Sequence, residues 1–218
     1  MSAGRDVEPG RRAGTGTFGL FGGTFDPIHV GHLAVAEEAA DTLGLDTVVF
    51  MPTAEPPHKP GRTVTDPAHR LAMVEAAIAG NPRFTASRME IDRGGPSYTV
   101  DTLEGLAADP APFLIISADA FLGLPTWREP SRVLALARLA IAPRDGFADA
   151  TPDFLEAHFP GSSARAVFLD GPRIHLSASE LRARAAAGRS LRYLVPDAVA
   201  AYISDHALYL NHRRDHRS

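Results

Sequence analysis

A chain of 218 residues with 44% hydrophobic content is large enough for one α/β domain with a sizeable core. Its 22 Lys and Arg stand against 26 Asp and Glu, a formal charge of -4, which argues against a general nucleic-acid binder and leaves small anionic ligands to local basic clusters. Cysteine is absent, which excludes disulfides, thiol catalysis and Cys-ligated zinc or iron–sulfur sites. No apolar run approaches the roughly 20 residues a membrane span needs, and no signal-peptide core precedes Phe18, so a cytoplasmic protein without a membrane partner is expected.

Residues 1–17 carry almost no apolar side chains and are expected to form a disordered extension. The body, residues 18–210, then alternates between two kinds of segment and is expected to form one domain. A strand at 19–21 is followed by a helix at 32–43, a strand at 47–51 and a helix at 67–79. Strands at 84–87 and 113–117 enclose a helix at 99–108, and a short helical piece follows Asp119. Strands at 138–142 and 166–169 alternate with helices at 152–158, 178–187 and 196–205. The runs VVFM, FLII and LAIA are continuously apolar, as in parallel strands covered on both faces. The fold class is therefore α/β, a doubly wound and mainly parallel sheet with a C-terminal helical segment. Residues 211–218 (NHRRDHRS) read as a flexible basic tail.

The segment GGTFDPIHVGH, residues 22–32, carries most of the chemistry. It lies between the first strand and the first helix, where doubly wound sheets bind ligands and helix N-termini hold phosphate. Gly22 and Gly23 let backbone approach a ligand or take positive φ, Pro27 stiffens the loop, and Gly31 sits near the helix start. His29 and His32 offer ring N–H donors to phosphate oxygens. The loop is neither the dinucleotide fingerprint nor a Walker loop, since G-x-G-x-x-G and GK[ST] are missing. Two bland readings stand beside it: a structural turn, and a two-histidine zinc site that lacks HExxH spacing and an evident third ligand. Further on, Ser177 to Arg182 combines a capping-box pattern with an arginine able to pair with phosphate. His58 and Lys59 sit in a long Pro-rich loop of the kind that is often functional.

GGTFDPIHVGHL resembles the HxGH signature of the nucleotidylyltransferase superfamily. MPTAEPPHK, SYTVDTL, SADAFLGLPTW, LSASELR and YLVPDAVAAYI follow in order, and together they are similar to bacterial nicotinate mononucleotide adenylyltransferases from Phe18 to Tyr209. Ser117 replaces the family's Gly, Ser179 and Leu181 replace Thr and Ile, and Arg128 follows Trp127 where some relatives have an aromatic. The resemblance implies a single nucleotidylyltransferase domain over residues 18–210. It also implies transfer of AMP from ATP to nicotinate mononucleotide, giving nicotinate adenine dinucleotide and pyrophosphate.

The resemblance further implies that His29, His32 and Arg182 stabilise the reacting phosphates. ATP would be held by Gly22, Gly23, Thr24, Phe25, His29, His32, Asp119, Ser177, Ser179 and Arg182. Nicotinate mononucleotide would be held by Gly23, Thr24, His58, Lys59, Tyr98, Thr99, Trp127 and Arg144, with the Trp127 ring on the pyridine. Mg²⁺ would arrive with ATP, with no dedicated protein cage. A homo-oligomer is compatible with the sequence. The alternatives are a superfamily transferase using another acceptor or a cytidylyl donor, a non-catalytic nucleotide sensor, and a nucleic-acid role for the tail.

Overall fold

The computed structural model describes residues 16–56, 64–106, 110–171 and 173–210. The N-terminal extension up to residue 15, the loop bearing His58 and Lys59, and the basic tail lie outside them. Six strands form one sheet: β1 (Phe18–Gly23), β2 (Thr47–Pro52), β3 (Phe84–Ala86), β4 (Phe113–Ser117), β5 (Arg138–Ala142) and β6 (Ala166–Phe168). Their spatial order is β3-β2-β1-β4-β5-β6, and every pairing is parallel. The order reverses between β1 and β4, which makes that junction the switch point where such sheets open to ligands.

Helices cover both faces. α1 (Val30–Leu43), α2 (Pro67–Ile78), α8 (Ala178–Ala186) and α9 (Asp197–Asp205) contribute to one core layer. α4 (Thr99–Leu106), α5 (Ala118–Leu122), α6 (Pro130–Leu136) and α7 (Pro152–His158) contribute to the other. Phe50 and Ile115 are fully buried in the first layer and Leu139 in the second, each worth roughly 1.5–3 kcal/mol of burial. α1 presents Ala36, Ala39 and Ala40 to the sheet, so the helix axis can approach closely. It ends at Gly44, whose φ of 62° suits glycine and turns the chain into β2.

Several boundaries differ from the sequence expectation. α1 begins at Val30, not at 32, because the His29 carbonyl already accepts from the His32 and Leu33 amides. β1 runs through Gly22 and Gly23, which are strand residues paired with Met51 and Pro52 and not a turn. α3 (Met89–Arg93) and α6 are additional. α3 has only five residues, too few to show a period, and α6 starts at a Pro after Glu129, whose φ is 49°.

Candidate active site

At the C-terminal ends of β1 and β4 lies a cleft of about 840 Å³. All of the expected site residues that fall within the described segments line it. Its floor is the turn from Thr24 to His29, which contains a cis Asp26–Pro27 peptide.

That turn is shaped by its own packing. Phe25, with φ of 48°, is only 3% exposed and sits edge-on to Phe21 and His32. Its ring belongs to the core, so only its main chain can serve a ligand. A Cβ on Gly23 would stand 2.9 Å from the Phe25 ring, so Gly23 is small to admit that ring and not to take positive φ. A Cβ on Gly22 would meet nothing within 4 Å among the described residues, so Gly22 leaves open space at the cleft wall.

His29 caps α1 with extended backbone, and His32 is the third helical residue. Their rings stack at a centroid distance of 3.6 Å and 20° between planes. The His29 amide donates to His32 Nδ1 at 3.2 Å, so a neutral His32 ring carries its proton on Nε2. His29 is buried, and its Nδ1 has no hydrogen-bond partner among the described residues. Burial, aided by the Arg144 charge, pulls the His29 imidazole down to about 4, so it is neutral near pH 7. Between them, a Cβ on Gly31 would lie 3.1 Å from His29 Nδ1. Gly31 is thus the space that lets the two rings stack. Stacked rings do not converge their lone pairs on one point, and among the described residues no three His, Asp or Glu side chains gather as metal ligands.

The start of α8 lines the same cleft. The Ser177 hydroxyl accepts from the Glu180 amide at 3.2 Å and donates to its carboxylate at 2.9 Å. Its hydroxyl is engaged in a capping box, and Ala178 and Ser179, the first two helical residues, line the cleft. Arg182 donates to the Asp26 carbonyl at 2.6 Å and to Ser179 Oγ at 3.2 Å. These bonds brace the guanidinium across the cleft floor and use two of its five N–H donors.

Asp119 lies in the first turn of α5, whose N-cap is Ser117, so it is not itself the cap. Arg144 donates to Asp119 at 2.8 Å. Burial pushes the Asp119 carboxyl up, but bonds from Ser117 and Arg144 and the Arg144 charge outweigh it and leave it below the usual range. Asp119 Oδ1 is buried and has no hydrogen-bond partner among the described residues.

At the other end, Tyr98, Thr99 and Trp127 line the wall together. The segment is pinned by Ser97, whose Oγ accepts from the Ala54 amide at 2.9 Å. Thr102 donates to the buried Glu90 carboxylate at 2.6 Å. Burial pushes Glu90 up, against the pull of Thr102, Ser97 and Arg93. Arg128 sits over the Tyr98 ring at 4.9 Å and donates to Asp101 at 3.3 Å, which places a cation beside Trp127.

Sequence reasoning missed Arg70. It is fully buried and donates to the carbonyls of Thr65, Thr24, Thr53 and Ala54 at 2.6–3.1 Å. One side chain thus ties the β1 turn to the loop after β2. The signal was present: Arg70, Val74 and Ile78 recur every four residues and are all buried, so an arginine interrupts an apolar helical stripe.

A parallel sheet that opens a cleft at its switch point, lined by a histidine-bearing helix start and a braced arginine, defines the class as a doubly wound α/β protein. The cytidylyltransferase-like family profile matches residues 20–184. A probable nicotinate-nucleotide adenylyltransferase of Roseiflexus sp. (strain RS-1) is 49% identical over 88% of this chain and 96% of its own length. One from Thermomicrobium roseum is 44% identical over 88% and 90%. The nicotinic acid mononucleotide adenylyltransferase of Plasmodium falciparum complexed with APC shares the fold with a TM-score of 0.73 at 17% identity, covering 89% of this chain and 97% of that one. The chain belongs to the cytidylyltransferase-like family, among the nicotinate-nucleotide adenylyltransferases.

Proposed function

We propose that this protein transfers the adenylyl group of ATP to nicotinate mononucleotide, producing nicotinate adenine dinucleotide and pyrophosphate. The observation that carries the chemistry is the stacked His29–His32 pair at the start of α1, in the cleft that Arg182 also lines. A phosphate oxygen of the mononucleotide attacks the α-phosphorus of ATP, a new P–O bond forms, and the bond to the β-phosphate oxygen breaks to release pyrophosphate. The nucleophile is already an anion, so no general base is required and the protein supplies position and charge.

In this reading His29 and His32 donate ring N–H groups to the α-phosphate and its developing charge. Arg182, the α8 N-terminus and Ser179 hold the outgoing phosphates, with the Ser177 cap fixing that helix start. Gly22, Gly23, Thr24 and the Phe25 main chain border the path where the substrates meet, and Asp119 serves the ATP ribose. Arg144 keeps Asp119 ionised and adds positive field at His29. Trp127 stacks on the pyridine, with Tyr98 and Thr99 beside the nicotinate carboxylate. His58 and Lys59 remain proposed mononucleotide contacts. Magnesium enters as part of the ATP substrate.

The test is pyrophosphate release from magnesium ATP with nicotinate mononucleotide, run beside nicotinamide mononucleotide and pantetheine phosphate. Strong preference for the nicotinate form is expected. Activity with another acceptor alone would overturn the assignment of the Tyr98–Trp127 wall, and no release with any acceptor would favour a nucleotide sensor.

A further inference from the structure

The C-terminal segment reaches the phosphate end of the cleft without lining it. After α9 the chain turns through Ala207 and Tyr209, whose φ values are 51° and 64°. Two non-glycine residues in the left-handed region within three positions cost energy that the surrounding contacts must offset. What the turn achieves is placement of one hydroxyl: Tyr209 Oη donates to Asp26 Oδ1 at 2.7 Å. Asp26 is only 3% exposed, and its other oxygen accepts from the Thr65 amide at 3.3 Å.

Asp26 is also where Arg182 is braced. Arg182 Nη1 donates to the Asp26 carbonyl at 2.6 Å, while the same nitrogen stands 3.8 Å from carboxylate Oδ2. The carboxylate and the cation are therefore close but not fully joined, because Tyr209 and Thr65 already serve the carboxylate oxygens. Removing the phenol would leave a buried carboxylate oxygen short of a donor, which is costly. Arg182 already stands 3.8 Å from the other oxygen of that carboxylate. With the carboxylate short of a donor, a shift of the guanidinium onto it would close the ion pair and withdraw Arg182 from phosphate.

We propose that Tyr209 is a positioning residue for adenylyl transfer: by bonding Asp26 it keeps Arg182 on the Asp26 carbonyl and open to the ATP phosphates. This rests on the function proposed above. Tyr209 stays a donor across the working range, since burial and the Asp26 charge push its phenol up.

Tyr209→Phe keeps the ring and removes only the donor. Tyr202→Phe is the matched control, because the Tyr202 hydroxyl contacts His69 Nδ1 at 2.9 Å from the same C-terminal region. Tyr209→Phe is expected to lower kcat by about tenfold or more, as small misplacements of reacting groups do, with KM for nicotinate mononucleotide nearly unchanged. Tyr202→Phe should match the parent. In an Arg182→Ala background the Tyr209→Phe effect should vanish, since both changes act on one guanidinium. Equal losses in both backgrounds, a loss shared by Tyr202→Phe, or a loss confined to mononucleotide KM would overturn the proposal. Calorimetric affinity for ATP separates this from the function itself. If the parent binds ATP but turns over no acceptor, the function fails; a several-fold weaker affinity in Tyr209→Phe that depends on Arg182 still supports the positioning role, and an unchanged affinity refutes it.

Discussion

Protonating His29 should cost this fold stability in a defined pH window. The imidazole falls from an ordinary 6.5 to about 4 because burial strips its solvation and Arg144 opposes a second positive charge. The unfolded chain therefore binds a proton between pH 6.5 and 4 that the native state refuses, so stability falls as the pH is lowered through that range. At 1.36 kcal/mol per unit, the displacement amounts to about 3 kcal/mol. Glu90 works the other way, because its raised carboxyl makes the native state the better proton binder just above pH 4.5. The parent curve alone is thus a difference, and comparison with His29→Asn isolates the histidine. Urea unfolding of both proteins at pH 7 and pH 4.5 is the assay. The parent should lose about 2–3 kcal/mol more than the variant over that interval. Parallel losses would mean that His29 is not held neutral by burial. That result would also undercut the claim that a neutral N–H donor, and not an imidazolium, meets the α-phosphate.

Gly31→Ala would press a methyl against His29 Nδ1 at 3.1 Å and disturb the stacked pair, so turnover should fall by about tenfold or more with little change in mononucleotide KM. Wild-type kinetics in that variant would show that the stacking geometry is not used. Arg70→Met would leave four carbonyls without their buried donor, a loss of about 4 kcal/mol and about 10 °C in Tm by scanning calorimetry. A shift under a few degrees would mean the turn and the β2 loop hold each other without it. Trp127→Ala should raise KM for nicotinate mononucleotide while leaving KM for ATP alone, and a change confined to ATP would place the indole at the wrong end of the cleft.

The alternation of apolar runs with helical segments, and with it the parallel sheet, was legible in the chain alone, because the central strands of such a sheet are covered on both faces, whereas the edge strands β3 and β6 are only half-buried. The sequence also singled out GGTFDPIHVGH and the Ser177–Arg182 segment as candidates for holding phosphate, since their residue types and their places beside helix starts are local properties. What the glycines are for emerges only from long-range packing. Gly23 makes room for Phe25 and Gly31 for His29, and both reasons lie in rings that a linear reading cannot place. It alone revealed Arg70 and Tyr209, whose partners Thr24 and Asp26 lie 46 and 183 residues away. It alone assigned the histidine protonation, because desolvation and the Arg144 charge depend on how β1, α1 and the segment after β5 come together at the switch point. Local pattern specifies which groups a segment can offer; long-range packing specifies which of them are buried, which are already bonded, and which remain for the ligand.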